Sequence, residues 1–329
     1  MRGEIMARKH SLAVAGLCTL VVVAVAGTPQ LLGSRVGTAF GRLDDAQPEW
    51  LWLAALLVVV TFVTWAQAWR SVIRSCGGEL GRGDAVARYA IGSAINTFAP
   101  ARLGDVVRIA LFSRRLEHPE RAWTGAGVYT TIGAARSLWI ALLLLGAFAW
   151  GALPLWPVAV CAVAVVFAVA AAAIARRRSP HSRLAHFFDA YRELGRHPRA
   201  ALPLLAWTAL STAARVGVVA AIVSSLGVHH SLGAALLIIP ALDVASLLPL
   251  TPGNVGLASG AVVVALQGSG TGSMTALTIS LGLHAVEAVA AVVCGGVGAL
   301  ALVGERRIAV AVAAAALAAS IGALVVGVV

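Results

Sequence analysis

WLWLAALLVVVTFVTWAQAW, residues 50–69, carries no charge over twenty residues and both opens and closes on tryptophan. As an α-helix this stretch covers about 30 Å, the thickness of a bilayer's hydrocarbon core. Its terminal indoles suit the two membrane–water interfaces. Arg70, Arg74, Arg82 and Arg88 follow it. Apolar blocks of roughly 17 to 25 residues, rich in Ala, Val, Leu and Gly, recur along the chain. Such small residues allow helices to pack closely in lipid. Only 12% of the 329 residues are charged, against about 25% in a soluble domain, and the mean hydropathy is +0.89. The short alternating strands of a lipid-facing barrel are missing from the sequence. The expectation is an all-α, polytopic transmembrane helix bundle with about eight or nine spans and one or two broken or re-entrant helices. No loop is long enough for a second domain, so residues 1–329 form one integral membrane domain.

The net charge of +11 does not imply nucleic acid, because the arginines sit in short segments between apolar blocks. That is where positive-inside bias places them, and they are not interleaved with aromatics as on a nucleic-acid-binding face. Cys18, Cys76, Cys161 and Cys294 match no zinc spacing and no disulfide framework. Residues 1–28 read as an uncleaved first helix (span 1, about 11–27), with Arg2, Arg8 and Lys9 placing the N-terminus in the cytoplasm of a cell-membrane protein.

Residues 50–69 are span 2. Residues 89–101, YAIGSAINTFAPA, are apolar but too short to cross alone, and basic sequence flanks them on both sides. A re-entrant element that dips in and turns at Pro100 is predicted; non-helical backbone at that depth requires protein or a wet cavity around it. Span 3 covers about 123–150 and holds Arg136; span 4 covers about 155–175. The loop 176–199 carries seven arginines against Asp189 and Glu193, and 183–194 within it has the spacing of an amphipathic helix on an anionic inner leaflet. Span 5, about 201–225, contains Arg215, and His229 and His230 would be external. Span 6, about 231–248, contains Asp243 and ends in a second break from Pro249 to Gly256. Span 7, about 274–300, holds His284 and Glu287, and Arg306 and Arg307 precede a last apolar segment, 308–329. Keeping those two arginines inside favours a crossing by the short segment 254–267, with a re-entrant course as the alternative.

The two breaks align. Pro100, Arg102, Leu103 and Gly104 match Pro252, Asn254, Val255 and Gly256 at a constant offset of 152, which suggests repeat halves of about 50–175 and 201–329. Paired interrupted helices point to a central binding site. Broken helix ends expose N–H groups that attract anions, and Arg is a bidentate phosphate donor. Arg102, Arg108 and Arg136 are therefore candidate ligands of a lipid phosphate. Asn96, Pro100, Gly104, Asp105, Pro252, Gly253, Asn254 and Gly256 are candidates for a polar path. Arg215, Asp243, His284 and Glu287 are further intramembrane polar groups, costly in lipid and suited to ion pairing or ion coupling. Either arginine at depth, Arg136 or Arg215, could pair with Asp243 or Glu287, and pairs that only fix helix packing are the plain alternative. There is no GxxxxGK[ST] loop, HExxH or GxSxG, so neither a self-contained ATP-driven pump nor those hydrolases is indicated. No metal or cofactor is expected.

AINTFAPARLGDVVRIALFSRR, 94–115, and LLPLTPGNVGLASGA, 247–261, resemble the flippase-like family related to the transmembrane domain of lysylphosphatidylglycerol synthases. The likeness rests on Asn96, Pro100, Arg102, Gly104, Asp105 and Arg108, and on Pro249, Pro252, Gly253, Asn254 and Gly256. Where the family pattern carries Glu, a second Gly and an acidic residue, this chain has Ser259, Asn254 and Ala135. The resemblance implies movement or accommodation of a polar-headed lipid, either a phospholipid or a polyprenyl-phosphate carrier. The reading is a translocase without its own ATPase. The alternatives are a membrane enzyme acting on a lipid phosphate, or a non-catalytic partner presenting lipid to a separately encoded lipid-modifying enzyme or glycosyltransferase. A small-solute transporter suits the basic mouth less well. Membrane lipids are the expected partners, and small residues permit a homo-oligomer.

Overall fold

The computed structural model describes residues 46–99, 102–117, 120–149, 159, 186–196, 198–228, 231–245, 255–267 and 270–302. The expectations for spans 1 and 4, the segment 308–329, Arg306, Arg307, His229, His230, Pro100, Pro249 and Pro252 to Asn254 fall outside the described residues.

All regular structure among the described residues is helical: α1 (Pro48–Ser75), α2 (Arg82–Phe98), α3 (Leu103–Ser113), α4 (Arg121–Ala149), α5 (Asp189–Arg196), α6 (Pro198–Ser225), α7 (Ser231–Ala245), α8 (Val255–Gln267) and α9 (Ser273–Ala301). Four of these, α1, α4, α6 and α9, are long and apolar enough to cross a bilayer, and they correspond to the expected spans 2, 3, 5 and 7. In α1, Pro48 and Glu49 sit in the first turn and Arg74 in the last, the polarity that a helix dipole favours. α1 and α6 pack along their lengths and run antiparallel, with the Gln47 amide donating to the Ser225 carbonyl at 3.0 Å.

α2 and α3 form an antiparallel hairpin. Near its base, buried Arg88 pairs through Nε with Asp84 (3.0 Å) and donates from Nη1 to the Leu111 carbonyl (2.6 Å), in the last turn of α3. Arg115 closes the same base by pairing with Asp84 at 3.0 Å. Toward the turn the helices approach closely: a Cβ on Gly104 would land on the Gly92 carbonyl oxygen and on the Asn96 amide. The chain thus leaves at the end where it entered, as its basic flanks led us to expect. α9 backs the hairpin. Its Gly295 and Gly298 lie against Ala87, Ala90 and Ala94, and a Cβ on Gly298 would fall 2.8 Å from the Ala87 carbonyl oxygen. The amphipathic segment of the arginine-rich loop appears as α5, whose Ala190 and Leu194 pack into the cluster around Trp69 and Phe112.

α7 and α8 have 15 and 13 residues, each too short for a hydrocarbon layer of about 30 Å. α7 starts at the end of the bundle where α6 finishes and reaches the middle at Asp243, which contacts α4 and α6 about halfway along both. α8 returns to the start of α9, with Ser259 and Ser280 hydrogen-bonded at 2.9 Å. α7 and α8 therefore enter from and return to the opposite end of the bundle, as a second hairpin. Of the two courses the sequence left open for 254–267, this is the re-entrant one, and the preferred crossing gives way to it. The length of the apolar run misled, because a half-span helix plus an apolar turn has the composition of a full span. Both ends of the hairpin share one side, so α9 still ends at the arginine-rich end, with no crossing by α8 required.

The offset of 152 recurs in the helix boundaries. α9 begins and ends 152 residues after α4 does, and α8 begins 152 residues after α3. α6 follows α1 at 150. The second copy runs upside down, since α1 heads toward the base of the first hairpin and α6 away from it.

Candidate functional site

Polar groups gather where the two hairpins reach inward. Arg102, the residue before α3, is left-handed (φ 55, ψ 37). Asp105 lies in the first turn of α3, where the helix dipole favours a carboxylate. Its Oδ1 accepts from Asn96 Nδ2 (2.7 Å) and Arg108 Nη1 (2.6 Å), and its Oδ2 accepts from the Tyr129 hydroxyl of α4 (2.9 Å). Arg108 also donates to Ser93 Oγ at 3.0 Å and stacks 4.2 Å from the Tyr89 ring centroid. Buried, paired and covered, Arg108 holds the hairpin together. Arg102 is half-buried and forms no ion pair among the described residues, and it lies within electrostatic reach of Tyr129. The sequence treated the two arginines alike; their surroundings differ.

A second cluster joins α4, α6 and α7. Asp243 Oδ1 accepts from Arg136 and, at 2.9 Å, from Arg215 Nη1. Of the pairings left open by the sequence, both arginines choose Asp243. Pro240 lies one turn earlier in α7, where its missing N–H leaves the Leu236 carbonyl without its usual helical donor. Arg136 also faces the Trp65 ring of α1, 5.6 Å from its centroid. Trp65, Arg136, Ile140, Ser211, Thr212, Arg215 and Ile239 line a cleft here. Glu287 lies within electrostatic reach of Arg136 and Asp243. His284, one turn away on α9, has a buried Nε2 with no partner among the described residues.

Other predicted positions stand apart. Gly256 is exposed near the start of α8, and Pro100, Pro252, Gly253 and Asn254 are outside the described residues. Ser259, where the family pattern would place Glu, pairs with a hydroxyl instead. Cys76, beyond the end of α1, is no ready nucleophile: burial, then the nearby Glu193 and Asp189 carboxylates, push its thiol up to about 12. Among the described residues no group of three or more His, Cys, Asp or Glu side chains could hold a metal ion. Trp65, Tyr89, Ser93, Tyr129 and Ser211 were missed because uncharged polar residues do not stand out in apolar helices. Tyr129 had a signal: it lies seven residues before Arg136, on the same helix face.

A comparison with curated proteins finds no match. Residues 11–295 match the lysylphosphatidylglycerol synthase TM region, a stretch that contains both hairpins and every residue of the two clusters. The chain is thus a membrane protein linked to lipid handling, and it belongs to the family of the lysylphosphatidylglycerol synthase transmembrane region.

Proposed function

We propose that this protein moves a polar-headed anionic lipid between leaflets without an ATPase of its own. The observation that carries the reading is the placement of charge. Arg102, Asp105 and Arg108 on one hairpin, and Asp243 on the other with Arg136 and Arg215, lie at the inner reaches of two hairpins that enter from opposite ends. Charged side chains at such depth face a bundle interior or a polar path, and paired broken helices form central sites in transporters. A polar path of this kind lowers the cost of drawing a headgroup through hydrocarbon, which is tens of kcal/mol for a bare ion in the idealised limit. Acyl or prenyl chains would stay in lipid while the phosphate meets arginine. A lipid gradient or ion coupling through Asp243 or Glu287 would set direction. The protein would sit in the cell membrane with its arginine-rich end and N-terminus in the cytoplasm.

Headgroup transfer in sealed liposomes tests the proposal, using labelled phospholipids and a polyprenyl phosphate with wild type and Arg102→Ala. Protein-dependent transfer, lost in a folded Arg102→Ala variant, is the expected result. Absence of transfer for every lipid, with and without an ion gradient, would transfer the weight to a lipid-presenting partner of a separate enzyme.

A further inference from the structure

The ionisable groups within the apolar helices differ in how they are held. Asp105 is fixed by Asn96, Arg108 and Tyr129, and Asp243 by Arg136 and Arg215. A proton on either carboxyl would displace donors that join one helix to another. His284 and Glu287 have no such ties. They lie one turn apart on α9, a spacing that puts two side chains on one face. Glu287 falls halfway along the 29 residues of α9, as Arg136 does along the 29 of α4. Among the described residues Glu287 makes no hydrogen bond and no ion pair, and the buried Nε2 of His284 has no partner. Yet Glu287 is within electrostatic reach of His284, Arg136 and Asp243. A bare carboxylate at that depth, leaving the nearby guanidinium to another acid, is a costly arrangement. A carboxyl that carries a proton is not.

The surroundings of the pair are sparse in charge. α4 brings Arg136, α7 brings Asp243, and α6 brings Arg215 through its bond to Asp243. Between Asp243 and His284 the sequence carries no ionisable side chain, and residues 50–69 of α1 carry none either. α2 meets α9 at Gly295 and Gly298, about two to three turns beyond Glu287. Its Asp84 and Arg88 bond each other at the hairpin base, and its Tyr89 lies under Arg108. On α9 itself, Cys294 is about two turns further on.

We infer that His284 and Glu287 bind the proton to which lipid movement is coupled, and that its departure turns Arg136 from Asp243 toward Glu287. The inference rests on the proposed function and deepens it by naming the coupling ion and its carrier. The proton enters from water on one side of the bilayer and is held by the two side chains as one titrating pair. It leaves to water on the other side, and nothing else is consumed. While it is bound, Arg136 stays with Asp243, as in the structure, and the second hairpin is fastened to α4. Once it leaves, the Glu287 carboxylate competes for Arg136 and the fastening weakens. A metal cation fits the pair less well, because such ions gather several oxygen ligands. Among the described residues no group of three or more His, Cys, Asp or Glu could hold one.

Infrared difference spectroscopy of the purified protein across a pH series reads the proton directly. Thermal unfolding establishes that each variant is folded, and Glu287→Asp, which keeps a carboxyl, guards against a variant that is not. Wild type should show a protonated-carboxyl stretch that fades as pH rises. The stretch should be absent from Glu287→Gln and preserved in Glu287→Asp and Asp243→Asn. Arg136→Gln should move its titration midpoint, because a guanidinium facing the pair is gone. In phosphatidylcholine vesicles, transfer of labelled phosphatidylglycerol or polyprenyl phosphate by wild type should follow a pH gradient and ignore an equal sodium gradient. Glu287→Gln should show no response to the pH gradient. No such stretch in wild type, or one that survives Glu287→Gln or vanishes in a folded Asp243→Asn, would overturn the inference. So would a midpoint unmoved by Arg136→Gln, or transfer driven equally well by sodium. A stretch that belongs to Glu287, with no transfer of any lipid under any gradient, would leave the proton pair standing and sink the translocase together with the coupling.

Discussion

Arg102 carries two separable properties. Its left-handed backbone costs an L-residue about 1 kcal/mol or more, a strain that glycine does not feel, while its guanidinium is the half-buried charge at the turn of the first hairpin. Arg102→Gly and Arg102→Ala remove the same charge but differ in strain. Arg102→Gly should be the more stable of the two, by about 1 kcal/mol in thermal or denaturant unfolding, and both should lose lipid transfer equally. A transfer defect that follows stability instead of charge would mean that Arg102 matters for the turn alone. At this scale the sequence was informative where residues are charged or, as at Asn96, stand beside a charged motif: Asn96, Asp105 and Arg108 do meet, and Asp243 does find arginine. It could not say that Arg108 is spent on its own hairpin or that Ser211 has no hydrogen-bond partner among the described residues, since both depend on how the helices pack.

The first hairpin depends on backbone proximity between α2 and α3. Because any Cβ on Gly104 collides with the Gly92 carbonyl oxygen and the Asn96 side chain, Gly104→Ala should destabilise the protein by about 1–3 kcal/mol, the range for overpacking a tight contact. It should also separate Asn96 from Asp105. A melting temperature unchanged by Gly104→Ala would show that the hairpin yields readily there. This element was legible because charge brackets a short apolar run. Its counterpart was not: no charged residue stands between Asp243 and Gln267, so hydropathy could not mark where the second hairpin turns.

Across the whole molecule, the opposed courses of the two hairpins make a prediction about sides. In a background with the native cysteines replaced, Gly81→Cys and Glu117→Cys should be labelled by a membrane-impermeant thiol reagent from one face. Val228→Cys and Thr271→Cys should both be labelled from the other. Labelling of positions 228 and 271 from different faces would restore an odd number of crossings between them and refute the second hairpin. The offset of 152 was readable from four aligned residues, but its inversion was not. Direction along the membrane normal is a property of whole helices, and it emerged only from such contacts as Gln47 with Ser225 and Gly298 with Ala87.

That inversion also bears on how the chain is built into a bilayer. With the ribosome at the arginine-rich end, the first hairpin can slip in from that face directly, while the second must wait until α6 has been carried across and then fold back from the far side. Asp243 reaches Arg136 and Arg215 only after that second event. The meeting of these three residues is thus a late step of biogenesis, and a chain stalled before it would hold two arginines at mid-membrane with no carboxylate beside them. Quality control that recognises exposed intramembrane charge would have its clearest target in that half-assembled protein.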